Sequence, residues 1–263
     1  MTEFNQYKPG TFNWVDLATT DAEAAKKFYT DLFGWSFTDL PVGDSMVYTM
    51  LYLDGKDVAG LMQMGEEQQA QGIPPHWMSY VSVTSADESA KKAKTLGGQV
   101  IMGPMDVMDS GRMAVIQDPT GAMLSVWEPR AHIGARVANV PVSLSWNELA
   151  TTDTDKAGQF YSQLFKWDMQ VSEFGPMVYT TFMNQERGAG GMLKISPEWG
   201  DVPPHWLAYF AVAGCEQSTE KAKTLGATIL MPPTDAGDIG QFSVIQDPQG
   251  AAFAIIELKG NPD

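Results

Sequence analysis

Cysteine occurs once, at Cys215, so no intramolecular disulfide can form and a stapled secreted scaffold is excluded. Histidine is nearly as rare, with only His76, His132 and His205, which limits any metal centre built on imidazoles. No apolar run approaches the roughly 18 residues of a membrane-spanning helix, and the N-terminal MTEFNQYKPG lacks the apolar stretch of a secretory signal. Basic residues are few: 17 Lys and Arg stand against 32 Asp and Glu, for a net charge of −15. Nucleic acids and anionic membranes are bound through Lys and Arg, so neither is expected as a partner, and the acidic surface is expected simply to be solvated. These absences lead us to expect a soluble, cytoplasmic protein.

What the chain does contain, it contains twice. FNWVDLATTDAEAAKKFYTDLFGW, from Phe12, returns as LSWNELATTDTDKAGQFYSQLFKW, from Leu144. IPPHWMSYVSV returns as VPPHWLAYFAV, KAKTLGG as KAKTLGA, and VIQDPTGA as VIQDPQGA. The order of the motifs is the same in both halves, as a duplicated domain requires. Half of 263 residues is an ordinary domain size. We expect domains at 8–130 and 141–259, joined by a linker without a Gly/Ser-rich run, and expect the two to pack as a pseudo-dimer within one chain.

Each half is itself double. Asn13 to Ala18 reads as a strand. Asp21 to Phe33 reads as an amphipathic helix, capped by Thr20 or Asp21, carrying Ala24, Ala25, Phe28 and Leu32 at helical spacing and stopped by Gly34. Strand-like runs at Met46 to Leu53 and Val58 to Met64 flank the turn-forming Asp54-Gly55. After Pro74-Pro75 the order restarts, with a strand at Trp77 to Val83 and a helix from Ala86 to Leu96. Strands at Gln99 to Met102, Met113 to Gln117 and Met123 to Trp127 follow. The plan is α+β, with four βαβββ modules.

Paired βαβββ modules, Phe28-Tyr29 followed by Leu32-Phe33-Gly34-Trp35, and the closing Asp118-Pro119-x-Gly121 turn resemble the vicinal oxygen chelate superfamily of glyoxalases, bleomycin-resistance proteins and extradiol dioxygenases. The same marks recur as Phe160-Tyr161, Leu164-Phe165-Lys166-Trp167 and Asp247-Pro248-x-Gly250, and the tandem layout is similar to a bacterial group of two-domain glyoxalase-like proteins. The resemblance implies two open, cup-shaped barrels of the glyoxalase/bleomycin-resistance type, each with a divalent metal held by strand residues. The positions it assigns to ligands are Trp14, Met78 and Ser125 in the first half, and Trp146, Leu207 and Ala254 in the second. None offers the N/O donors that zinc, nickel or iron needs. We therefore expect no metal and no other cofactor.

Alternation along the strands names the cup lining. In the first half it predicts Trp14, Asp16, His76, Met78, Tyr80, Ser125 and Trp127; in the second, Trp146, Glu148, His205, Leu207, Tyr209, Ala254 and Ile256. These are apolar and aromatic walls with a few polar groups, the composition of a small-molecule pocket. His76 and His205 either contact ligand or bond near the barrel rim beside a tryptophan. Asp16 and Glu148 either face a ligand or are satisfied by neighbouring donors. Arg112 is a candidate anion contact or a solvated loop residue, and the methionines at 102, 105, 108 and 113 read as filler or loop. The expected function is metal-free binding of a small organic molecule. A metal-dependent lyase or dioxygenase and a non-catalytic scaffold with filled cups are the alternatives, and no reaction is assigned.

Overall fold

The computed structural model describes residues 3–43, 46–174 and 177–260. The first domain runs β1 (Phe12–Thr19), α1 (Ala22–Phe33), β2 (Ser36–Val42), β3 (Met46–Leu53), β4 (Lys56–Gln63), α2 (Glu66–Ala70), β5 (His76–Ser82), α3 (Ala86–Thr95), β6 (Gln99–Val107), β7 (Gly111–Gln117) and β8 (Met123–Pro129). The second repeats it as β9 (Leu144–Thr151), α4 (Thr154–Phe165), β10 (Asp168–Phe174), β11 (Met177–Asn184), β12 (Arg187–Lys194), β13 (His205–Ala211), α5 (Cys215–Thr224), β14 (Thr228–Asp235), β15 (Gly240–Gln246) and β16 (Ala252–Leu258). A single 3₁₀ turn at Pro197–Trp199 stands where the first domain has α2. This is the α+β architecture of four βαβββ modules.

Local chemistry sets the element ends. Asp21 caps α1 by accepting from the Ala24 N–H, and Asp153 caps α4 from Lys156 in the same way. Gly34 closes α1 at φ 75°, a left-handed conformation natural to glycine. Lys166 takes that conformation in the second copy at φ 61°. Asp54-Gly55 forms the β3–β4 turn with both residues at positive φ, as a tight hairpin needs. Strand β6 continues well past Met102, because Met105, Asp106 and Val107 keep pairing with β7 after an irregularity. The edge strand β2 carries only weak apolar patterning and is not distinct in the sequence.

The sheets have matching strand orders, β2-β3-β4-β1-β5-β8-β7-β6 and β10-β11-β12-β9-β13-β16-β15-β14. The two modules of a domain meet where β1 pairs antiparallel with β5, or β9 with β13. Strand β1 is buried on both faces. Val15 and Leu17 face a helix-covered core, while Trp14 and Asp16 face the cup.

The helix-side cores are shared between domains. Phe28, Tyr29, Leu32 and Phe33 of α1 cluster with Phe210, Cys215, Ala222, Phe253 and Ile255 of the second domain. Phe160, Tyr161 and Leu164 of α4 cluster with Val81, Ala90, Ile116 and Leu124 of the first. Burial of a side chain of this size contributes on the order of 1.5–3 kcal/mol, so neither half completes its core alone.

Polar contacts reinforce the arrangement. The Trp77 indole donates to the Tyr29 hydroxyl at 3.0 Å, and Tyr29 donates to Asp247 Oδ2 at 2.9 Å. Trp206 donates to Tyr161 at 2.9 Å in the second copy. The Lys92 and Lys221 ammonium groups donate to Leu164 O and Leu32 O, carbonyls in the last turn of the opposite domain's first helix.

Candidate functional site: two unequal cups

The cup of each domain is built around one acid, buried in the first and partly exposed in the second. In the first, Tyr80 and Tyr48 both donate to Asp16 Oδ2, at 2.9 and 3.3 Å, and the Trp14 indole donates to Tyr48 at 3.0 Å. In the second, Tyr209 donates to Glu148 Oε1 at 2.7 Å and Tyr179 to Oε2 at 2.9 Å, while Trp146 donates to Tyr179 at 3.0 Å. Register explains the convergence. Asp16 lies opposite Gly60 on β4 and Met78 on β5, and Glu148 lies opposite Gly191 and Leu207. A side chain at Gly60 or Gly191 would collide with the tyrosine hydroxyl, so glycine is what lets Tyr48 and Tyr179 reach across to the acid.

Burial pushes the Asp16 carboxyl up to about 7, against the opposing effect of the Tyr80 and then the Tyr48 hydrogen bonds. Burial likewise raises Glu148, opposed by Tyr209 and Tyr179. Each acid can therefore take up or release a proton, and its tyrosine partners, with pKa values raised by burial, stay protonated as donors.

The residues predicted for the lining divide as follows. Trp14, Tyr80 and Trp127 join Met50, Met113, Val115 and Ala135 in one buried cluster, with Met78 against it. Leu207, Tyr209, Ala254 and Ile256 form the second cluster, with Trp146 and Phe242 against it. Ser125, fully buried, pairs in register with Tyr80; its Oγ makes no hydrogen bond of good geometry, though it lies close enough to oppose the rise of the Tyr80 pKa. His76 and His205 open β5 and β13, and each sets Nδ1 against a proline carbonyl two residues back, Pro74 O at 2.9 Å and Pro203 O at 2.8 Å. They stand at the rim and away from the acids' hydrogen bonds.

Arg112 requires a correction. It lies on β7, neither in a loop nor free for an anion, because Asp87 and Asp106 already engage its guanidinium.

Three participants, Tyr48, Tyr179 and His132, are absent from the sequence-based lining. Tyr48 and Tyr179 sit on β3 and β11, and the repeated Val47-Tyr48-Thr49 and Val178-Tyr179-Thr180 was the signal for them. His132 belongs to the linker and has no such repeat. Its ring stands edge-on to Trp14 with centroids 4.6 Å apart and near Trp127 at 5.9 Å. The Trp127 indole donates to His132 O at 2.8 Å, and Ala135 N–H donates to Asn13 O at 2.7 Å. The linker thus lies against the first cup.

The cups consequently differ in access. Trp14 is 4% exposed, Asp16 5%, Met113 8% and Val115 7%. Their counterparts Trp146, Glu148, Phe242 and Val244 are all partly exposed.

The donors present do not fit the metal that the resemblance implies. Trp14, Met78 and Ser125 supply an indole already used as a donor, a thioether and a hydroxyl. Asp16 Oδ2 already accepts from two tyrosines. Among the described residues no three His, Cys, Asp or Glu side chains converge.

The sequence and the fold have known relatives. The chain is 39% identical over 98% of both chains to proteins of Mycobacterium bovis and Mycobacterium tuberculosis named "Putative glyoxylase CFP32". It is 34% identical, over 97% of this chain and 95% of the other, to "Anthracycline biosynthesis protein DauV" of a Streptomyces species. In structure it resembles the Mn(II)-bound glyoxalase of Novosphingobium aromaticivorans, with a TM-score of 0.66 at 16% identity over 97% of this chain and 86% of that one. The 2,3-dioxygenase LapB of Pseudomonas matches with the same TM-score at 11% identity, over 96% and 93%. The model of the Glyoxalase/Bleomycin resistance protein/Dioxygenase superfamily matches residues 11–126 and again 135–255, and this chain, with its two tandem cups, belongs to that superfamily.

Proposed function

We propose that the chain binds a small organic molecule in the second cup, without a metal ion, and that Glu148 orients it. The observation that carries this reading is the partial exposure of Glu148 between Trp146, Tyr179 and Tyr209, where the counterpart Asp16 is buried. A carboxylate backed by two fixed tyrosine donors and walled by aromatic rings recognises a hydrogen-bond donor or a positive charge on an otherwise apolar molecule. The relative named for anthracycline biosynthesis supports a small organic molecule as the ligand class.

The chemistry available is binding and proton exchange. Glu148 can hold or accept a proton at Oε1 or Oε2, and Tyr179 and Tyr209 would stabilise the carboxylate left or formed there. Among the described residues no nucleophile with a base and an orienting group accompanies it, so no covalent step is assigned.

Titration with benzylamine and related aromatic amines, followed by tryptophan fluorescence, tests the reading. Binding should persist in EDTA and weaken about tenfold or more in Glu148→Gln, the scale of a lost hydrogen bond to a charged group. Binding that requires a divalent metal, or that is indifferent to Glu148→Gln, would overturn it.

A further inference from the structure

We propose that the first cup is occupied by its own chain, with His132 as a tethered ring ligand on the Trp14 wall. The matching place on Trp146 in the second cup then takes a free, flat nitrogen heterocycle. This rests on the reading of the second cup as the ligand site.

The linker makes a set of contacts more like those of a ligand than of a connector. The His132 imidazole meets the Trp14 indole edge to face, the favoured geometry for aromatic rings, and also approaches Trp127. Its Nδ1 lies 3.8 Å from Asp57 Oδ2 on β4, and its Nε2 is buried without a hydrogen-bond partner. Neighbouring linker residues hold it there. Asn13 Nδ2 donates to Ile133 O at 2.8 Å, Tyr7 Oη donates to Ala135 O at 2.7 Å, and Arg136 N–H donates to Asp57 O at 2.7 Å. Burial lowers the pKa of His132 against the pull of Asp57, so the ring is held neutral. A ring tethered three residues beyond the end of β8 has an effective concentration that a free ligand cannot match.

The second cup repeats the wall without the plug. Trp146 donates to Tyr179 as Trp14 does to Tyr48, and the acid sits two residues on in both. Among the described residues no ring covers Trp146 as His132 covers Trp14. Two substitutions define what fits. Gly188 stands where the first cup has Asp57, with the Trp146 indole packed against it, so a ring on Trp146 meets no carboxylate beyond Glu148. Ile256 replaces Trp127, exchanging an indole for a smaller aliphatic side chain on that wall.

Indole N–H resonances, assigned with Trp14→Phe and Trp146→Phe, provide the test. In the wild type, benzimidazole should move the Trp146 resonance and leave Trp14 still. In His132→Gly, imidazole should move Trp14 with an affinity at least about tenfold above that of the wild type. Should His132→Gly not fold, His132→Phe decides: its ring should still bar imidazole from Trp14, and a Trp14 resonance that imidazole reaches in that variant overturns the proposal. So does an unmoved Trp14 in folded His132→Gly, or an unmoved Trp146 in the wild type. Benzylamine binding that still depends on Glu148, with no benzimidazole effect at Trp146, sinks the ring assignment and leaves the binding function standing. Loss of both sinks both.

Discussion

Asp16→Asn should make this protein more stable, and only above acid pH. The carboxyl is 5% exposed and its pKa stands at about 7 in the folded chain, against 3.8 for an unhindered aspartate. A raised folded pKa means that the native state binds the proton more tightly than the unfolded state. Stability from this group is therefore complete below the unfolded pKa and falls as pH rises through the folded one. At 1.36 kcal/mol per pH unit, the interval from 3.8 to about 7 corresponds to a loss of about 4 kcal/mol. Asparagine is the right replacement because both tyrosines donate to one oxygen, Oδ2, which the amide oxygen can replace without a charge. Urea denaturation of wild type and variant across pH 4 to 8 would show the difference between them grow by a few kcal/mol in favour of Asp16→Asn. The acids that Arg112 holds low, Asp87 and Asp106, act equally in both proteins and cancel. A difference that stays flat with pH would refute the claim that Asp16 carries a burial penalty.

Three further outcomes are expected. Tyr29→Phe leaves Asp247 Oδ2 without its buried donor and Trp77 without its acceptor, so denaturation should show a loss of about 2–3 kcal/mol; an unchanged midpoint would remove the bond from the domain interface. Gly191→Ala drives a methyl into the Tyr179 hydroxyl and should cost about 1–3 kcal/mol while lowering benzylamine affinity, and a variant with normal affinity would show that Tyr179 does not position Glu148. Lys221→Met removes one donor from the C-terminal turn of α1 and should cost only about 0.3–1 kcal/mol; a loss as large as that of Tyr29→Phe would mean the lysine does more than meet Leu32 O.

Much of the site was legible because the chain repeats. Asp16 and Glu148 stand two residues after Trp14 and Trp146 in strands whose alternation points both toward one face. Tyr48 and Tyr179 were equally readable from the repeated Val-Tyr-Thr, but a tyrosine on a strand says nothing of which acid it will reach until register is known. His132 left no trace of this kind. It has no counterpart in a repeated motif, and a histidine in a linker is ordinary in sequence. Arg112 shows the converse, since the carboxylates that occupy it, Asp87 and Asp106, are 25 and 6 residues away.

The amino-acid pattern alone gives the four modules, narrows the cap of the first helix to Thr20 or Asp21 and picks out an acid in each half, because these depend on spacing within a single element or on comparison of one copy with the other. It does not reveal why the copies agree where they do. Tyr29 and Asp247, or Lys92 and Leu164, touch only after the domains come together, so part of each shared motif turns out to be interface. Nor does it distinguish the cups. Folding lays one linker ring against Trp14 and leaves Trp146 partly exposed, so access to two similar acids is decided by a segment distant in sequence from the strands that carry them.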